Sequence, residues 1–206
     1  MNNIKNIVFD LGVVIINLNR ERCIEAFKAL GLDEMTFNSI QEVEQNIFNR
    51  YELGEISSEE FCNQVRSILN KNIENEEIEK AWLKMLCDIP QYKLEAIRGL
   101  NKKYRVFLLS NTNEIHWQWC KDIFFENDGF ELSDYFEDVF LSYEMHLMKP
   151  DKKIFERLTA KTGIACNETI FIDDSDINCL SAMNLGFKTY TAKKEENWTY
   201  LFNSKQ

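Results

Sequence analysis

Five short apolar runs constrain this chain more than any other feature. Ile4–Asp10, Arg105–Ser110, Asp138–Ser142, Thr169–Asp173 and Phe187–Thr191 draw on Val, Ile and Phe, and each gives way to polar residues. Runs of this length and character read as buried strands. Helical patterns separate the later ones. Tyr92–Leu100 leads into the second run and Glu114–Phe125 follows it; Lys152–Thr162 leads into the fourth, and Ile177–Leu185 follows, stopped by Gly186. Buried strands alternating with helices predict an α/β fold, a doubly wound parallel sheet with helices on both faces.

The stretch from Asn19 to Pro90 breaks that rhythm. It offers helical windows at Arg20–Leu30, Met35–Phe48, Ser58–Asn70 and Asn75–Cys87, with Gly31 and Gly54 at the joins. Ser57 or Ser58, followed by Glu59-Glu60, supplies an N-cap for the third. Residues 19–90 are therefore expected to form an all-helical cap, inserted into a core made of 1–18 and 91–206. Open α/β sheets bind ligands beyond the carboxyl ends of their strands, near the switch in strand order. Asp10, Ser110-Asn111 and Asp173-Asp174 end three of the expected strands. A cap inserted after Asp10 hangs over the same edge.

Charge excludes one class of partner. The 24 Lys and Arg stand against 34 Asp and Glu, a net charge of −10, so the chain repels a polyanion at long range and nucleic acid is not expected as a partner. A local basic pocket for a small anion survives that argument. No apolar run approaches the roughly 20 residues of a membrane span. The start lacks the apolar core of a signal peptide before Asp10 interrupts it. The 6 Cys form no CxxC pair, which favours reduced thiols in a cytoplasmic protein. With 13% aromatic residues the chain carries more apolar bulk than a disordered one.

Asp10, Asp173 and Asp174, joined by Ser110, Asn111 and Lys149, form the strongest chemical constellation. Each residue alone is ordinary: an Asp caps a turn, a Lys before Pro150 is solvated. Together at three strand ends they are not. Crowded carboxylates need a compensating cation, and Mg²⁺ needs only one or two of them, with water and phosphate oxygens completing its shell. A carboxylate is also a nucleophile able to form an aspartyl-phosphate, with a hydroxyl, an amide and a lysine holding the other phosphate oxygens.

IVFDLGVVI (7–15), LLSNTN (108–113), MKPD (148–151) and IFIDDSDIN (170–178) resemble, in order, the four motifs of the haloacid dehalogenase superfamily. The resemblance spans essentially the whole chain, and LGEISSEEF (53–61) looks like the small helical cap of its phosphatase branch. The overall pattern is similar to the small bacterial sugar-phosphate phosphatases, such as those acting on α-D-glucose 1-phosphate. The resemblance implies a Rossmann-like core and a Mg²⁺-dependent phosphatase acting on a small phosphorylated substrate, as a monomer or homodimer. It implies Asp10 as nucleophile and metal ligand, and Ser110 with the Asn111 backbone as phosphoryl holders. Lys149 would neutralise charge between nucleophile and phosphate. Asp174 would bind the metal directly, Asp173 directly or through water, and Gly12 through its carbonyl. Asn178 and Asp176 would support the loop.

Gly12 is the departure. Phosphatases of this family commonly place there a second Asp, which protonates the leaving group and later activates water. Glycine can do neither, and general acid–base help is worth ~10²–10⁴-fold. The alternative reading is therefore a weak or inactive phosphate-binding protein. Asn17 and Asn19 do not titrate. His116 does, but Trp117 and Trp119 beside it favour packing beneath the cap. Arg50 and Tyr51 are candidate substrate contacts, with a surface Arg and a packed Tyr as the simpler reading. The paired Asp173-Asp174 favours phosphoryl transfer over dehalogenation, which uses no metal. The aromatic stretch 124–140 has no assigned role.

Overall fold

The computed structural model describes residues 3–32 and 46–202. Five strands, β1 (Asn6–Phe9), β2 (Arg105–Ser110), β3 (Asp138–Leu141), β4 (Thr169–Asp173) and β5 (Lys188–Thr191), form one sheet in the order β3-β2-β1-β4-β5. Every pairing is parallel. All five expected strands are present, three of them trimmed where their ends leave the ladder. The chain is an α/β protein with a Rossmann-like doubly wound sheet, and its order reverses beside β1.

Alternation of side chains across the pleat explains why the strands read as continuous apolar runs. Ile7, Phe9, Val106, Leu108, Ile170 and Ile172 enter one hydrophobic core. Val8, Phe107, Leu109 and Phe171 enter another on the opposite face. Leu94, Ile97 and Leu100 of the helix Gln91–Asn101 cover the first face. Ile154, Phe155 and Leu158 of Lys152–Thr162, with Cys179 and Ala182 of Asp176–Asn184, cover the second. The stretch 124–140 packs on the core: Phe125, Tyr135 and Phe136 are buried in the first face's cluster. The helix expected over Glu114–Phe125 runs as an α-helix to Cys120 and then widens into a π turn, Lys121–Phe125.

The inserted segment is helical. Its helices α1 (Arg20–Leu30), α2 (Ile47–Glu52), α3 (Ser58–Leu69) and α4 (Asn75–Leu83) enclose a separate hydrophobic cluster that includes Phe27, Phe48, Tyr51, Phe61 and Trp82. Ser57 caps α3 in a reciprocal capping box with Glu60. Most of the helix expected over Met35–Phe48 lies outside the described residues. Where the description resumes, Asn46 is extended and its side chain caps a new helix at Asn49 N–H. An Asn that captures the next turn's N–H starts a helix, so the window does not continue through Phe48. The two connections to the core run side by side: Leu18 and Leu86 form an antiparallel bridge, and Asn17 exchanges backbone hydrogen bonds with Cys87 and Asp88.

Candidate active site

The register of the sheet builds the site. Phe9 lies level with Leu108 on one side and Ile172 on the other. The next row therefore places Asp10 between Leu109 and Asp173. Lys149 closes that row from above. Its Nζ donates to Asp10 Oδ1 at 2.7 Å, Asp173 Oδ2 at 2.6 Å and the Leu109 carbonyl at 2.9 Å. An ammonium has three donors, and here they join three adjacent strands. Lys149 is itself held by Asn111, whose side-chain amide donates to the Lys149 carbonyl at 2.9 Å and accepts from its N–H at 2.8 Å. That commits the Asn111 side chain and leaves its backbone for a ligand. Ser110 is buried, and its Oγ donates a long hydrogen bond of 3.4 Å to the Asn111 carbonyl.

The fourth motif divides its two carboxylates. Asp173 is fully buried: Oδ1 accepts from Ser175 N–H at 2.8 Å and Asn178 Nδ2 at 3.0 Å, and Oδ2 from Lys149. Asn178 thus supports the loop, as expected. Asp174 is exposed, and ligand atoms of Asp10, Asp173 and Asp174 lie within 4.8 Å of one another. Burial pushes the Asp10 carboxyl up to about 7, with Asp173 and Asp174 adding to it and Lys149 opposing. Burial, then Asp173, also raises Asp174. Lys149 is held above its ordinary value: burial works against its charge, but Asp10 and Asp173 outweigh it. One ammonium does not balance three carboxylates. The unrelieved negative charge and the hard oxygen donors fit Mg²⁺.

Gly12 sits in a sharp turn. Val13 has φ +61°, left-handed for a β-branched residue, and Val14 N–H donates to the Gly12 carbonyl at 2.5 Å. Strain of this kind persists only where its surroundings over-determine it. Here the Val14 carbonyl accepts from buried Lys93 Nζ at 2.7 Å and from Trp198 Nε1 at 2.8 Å. A carbonyl has two lone pairs, so Gly12 keeps one for a metal.

The cap meets this edge on the residues after β2 and on those after β3. Trp82 Nε1 donates to Asn113 Oδ1 at 3.3 Å, and its ring stacks on His116 at 4.7 Å. His116 is buried there, and burial lowers its imidazole to about 4 against a hydrogen bond to the Trp82 carbonyl. It is a neutral packing residue. At the second place the end of α2 docks on residues 142–146. Ser142 Oγ donates to the Glu52 carbonyl at 2.6 Å, and His146 Nδ1 bonds the Leu53 carbonyl at 2.9 Å. Gly54 follows at φ +66°; a Cβ on it would lie 2.0 Å from the Tyr143 carbonyl, so only glycine permits this approach. Tyr51 is a buried cap residue stacked on Phe61, and Arg50 pairs with Glu55 on the surface, the simpler readings of both.

Glu52 is the residue that sequence reasoning missed. Burial pushes its half-buried carboxyl up to about 7; Asp10 adds to this and Lys149 opposes it. It is a cap side chain inside the field of the core clamp. The available signal was the pair Glu52 and Gly54, a carboxylate next to a close-approach glycine.

These motifs and their spacing match the model of the haloacid dehalogenase-like hydrolases over residues 4–186. The chain belongs to that family. It is 34% identical to a D-ribitol-5-phosphate phosphatase of Bacteroides thetaiotaomicron over 98% of this chain and 100% of that one. A haloacid dehalogenase family enzyme of the same species, solved with magnesium and inorganic phosphate, superposes with a TM-score of 0.92 at 46% identity, over 97% of this chain and 99% of that chain. A family hydrolase from Porphyromonas gingivalis gives 0.89 at 36% identity, covering 98% of each. The fold read from the family motifs is thus that of solved family members. The curated relative acts on a sugar-alcohol phosphate rather than on the glucose 1-phosphate of the resemblance.

Proposed function

We propose that the protein is a Mg²⁺-dependent phosphatase that hydrolyses a small phosphomonoester, a sugar or sugar-alcohol phosphate, through an aspartyl-phosphate on Asp10. The observation that carries this reading is the Lys149 clamp, which holds Asp10 and Asp173 across three strands beside the more open Asp174. The substrate of the ribitol-phosphate phosphatase, and the magnesium and phosphate bound by the structural relative, agree with it.

In this reading Asp10 attacks phosphorus, with Lys149 orienting one of its oxygens and offsetting the charge of the phosphoryl group. Ser110 Oγ and the Asn111 backbone hold phosphoryl oxygens. Asp10, Asp174 and the Gly12 carbonyl would hold Mg²⁺, with Asp173 acting directly or through water. The ion supplies charge neutralisation for the phosphate when bound. Residues 1–18 and 91–206 form the catalytic core. The 19–90 cap admits substrate and then closes to exclude water. No helix among the described residues is long and apolar enough to cross a membrane; a cytoplasmic monomer or homodimer completes the proposal.

Phosphate release tests it, from ribitol 5-phosphate, glucose 1-phosphate, a nucleotide and p-nitrophenyl phosphate. Release that needs Mg²⁺, stops with chelator and falls at least about 10⁴-fold in Asp10→Asn is expected, since loss of a nucleophile has effects of that order. No release from any of them by folded, Mg²⁺-binding protein would favour the phosphate-binding alternative.

A further inference from the structure

The hydrolytic reading leaves a proton unassigned. Displacement at phosphorus is in line, so the leaving alkoxide departs on the side opposite Asp10, toward whatever covers the site. The alkoxide of a sugar alcohol is a poor leaving group unless it is protonated. Neither residue nearest in sequence can do this, because Gly12 has no side chain and Leu11 is apolar. His116 is buried against Trp82, with both ring nitrogens in hydrogen-bond contact, Nδ1 with Asn113 and Nε2 with the Trp82 carbonyl.

Resting on the hydrolytic reading above, we propose that Glu52 is the general acid and base of this reaction, delivering from the cap the proton that Gly12 cannot. Two sets of contacts place it. The Glu52 carbonyl is bonded to Ser142 Oγ, and the same Oγ accepts from Thr112 N–H at 2.9 Å, directly after the Ser110-Asn111 phosphate loop. Leu53 and Gly54 dock the next two residues on His146 and Tyr143. The end of α2 is thereby anchored to the loops that follow β2 and β3, on the ligand edge of the sheet.

The clamp also distinguishes the two carboxyls by contact. Lys149 donates a hydrogen bond to Asp10, whereas it acts on Glu52 only through space. Hydrogen bonding to an ammonium favours the ionised form. Asp10 is therefore the carboxyl that the clamp engages, and Glu52 the one it leaves unbonded on the cap side.

The steps balance. As Asp10 forms its bond to phosphorus and the bond to the alkoxide breaks, the Glu52 proton passes to the alkoxide oxygen and the alcohol leaves. Glu52, now a carboxylate, takes a proton from the water that attacks the aspartyl-phosphate. The phosphorus bond to Asp10 breaks, inorganic phosphate leaves, and both carboxyl groups return to their starting state.

Glu52→Gln keeps the shape and removes the proton. Its kcat on ribitol 5-phosphate is expected to fall about 10²–10⁴-fold with KM little changed. With p-nitrophenyl phosphate, whose leaving group needs no acid, the first step survives and the second stalls. A burst of about one nitrophenolate per enzyme, followed by slow turnover, is expected from the role of base in the second step. Gly12→Asp in that background is expected to recover turnover, because its Cβ meets the flexible terminal methyl of Leu18 at 3.1 Å and otherwise lies 4.0 Å from Asp10 Oδ2, beside the reacting group. Unchanged kcat in Glu52→Gln, a rise in KM alone, or equal losses on both esters without a burst would overturn the proposal. An inactive wild type, or an active Asp10→Asn, would instead overturn the hydrolytic reading beneath it.

Discussion

Lys149 bonds Asp10 from the core and Glu52 feels the charge of both from the cap, and the two are held there by different means. Lys149 is buried, all three of its donors are used, and its backbone is clamped by Asn111. Glu52 ends a six-residue helix, and its carboxyl makes no hydrogen bond among the described residues; the helix is positioned through backbone carbonyls that meet Ser142 and His146. The first arrangement is part of the folded sheet. The second exists only where two separately packed bodies touch. On the proposed mechanism, a charge needed throughout the reaction belongs to the sheet, and a proton needed only over bound substrate belongs to the cap.

Removing the core charge should show the largest effect. Lys149→Met deletes the ammonium bonded to both Asp10 and Asp173, leaving two buried carboxylates beside each other. Breaking a buried pair from one side costs about 3–5 kcal/mol. Urea unfolding should show a loss of that size, with phosphatase activity gone. A loss below about 1 kcal/mol would mean that the clamp is not part of the sheet's stability, and the contrast with Glu52 would fail.

The cap's other anchor should respond to pH. Burial against Trp82 holds His116 near 4, below its ordinary 6.5. In the unfolded chain it binds a proton at higher pH than in the folded one. Stability from this group is therefore full above about pH 6.5 and is lost as pH falls toward 4. The span corresponds to roughly 3 kcal/mol at most. His116→Gln should flatten the fall in unfolding free energy over that window relative to wild type. Parallel curves for the two proteins would show that His116 is not held neutral by the cap.

The core clamp was legible in sequence because each partner obeys a local rule. A strand that ends in Asp10 or Asp173 puts its carboxylate at the sheet edge whatever else the chain does, and parallel register aligns the ends. The helices on the sheet faces follow the same logic, since their apolar spacing records what they cover. Glu52 obeys no such rule. Its neighbours in space are Ser142 and Thr112, from two distant loops, and its placement depends on Gly54 fitting against Tyr143. Trp198 and Lys93 were unreadable for the same reason. They meet on the Val14 carbonyl from far along the chain, and a buried Lys looks like a surface one in any helical pattern.

Ser142 joins the two sides, and its removal should give the smallest effect and the sharpest one to interpret. Its Oγ accepts from Thr112 N–H and lies 3.0 Å from the Thr112 carbonyl and 2.6 Å from that of Glu52. Ser142→Ala leaves the buried Thr112 N–H unpaired, a cost of about 1–3 kcal/mol. The melting temperature should drop about 2–4 °C for each kcal/mol in a chain of this size. Because Glu52 loses one anchor but keeps His146 and Gly54 beside it, kcat on ribitol 5-phosphate should fall by less than in Glu52→Gln. The nitrophenolate burst should be absent or faint, since the carboxyl is still there to act as base. A burst as large as that of Glu52→Gln, in a protein that melts like wild type, would mean that the Glu52 carboxyl acts only when Ser142 holds its backbone in place.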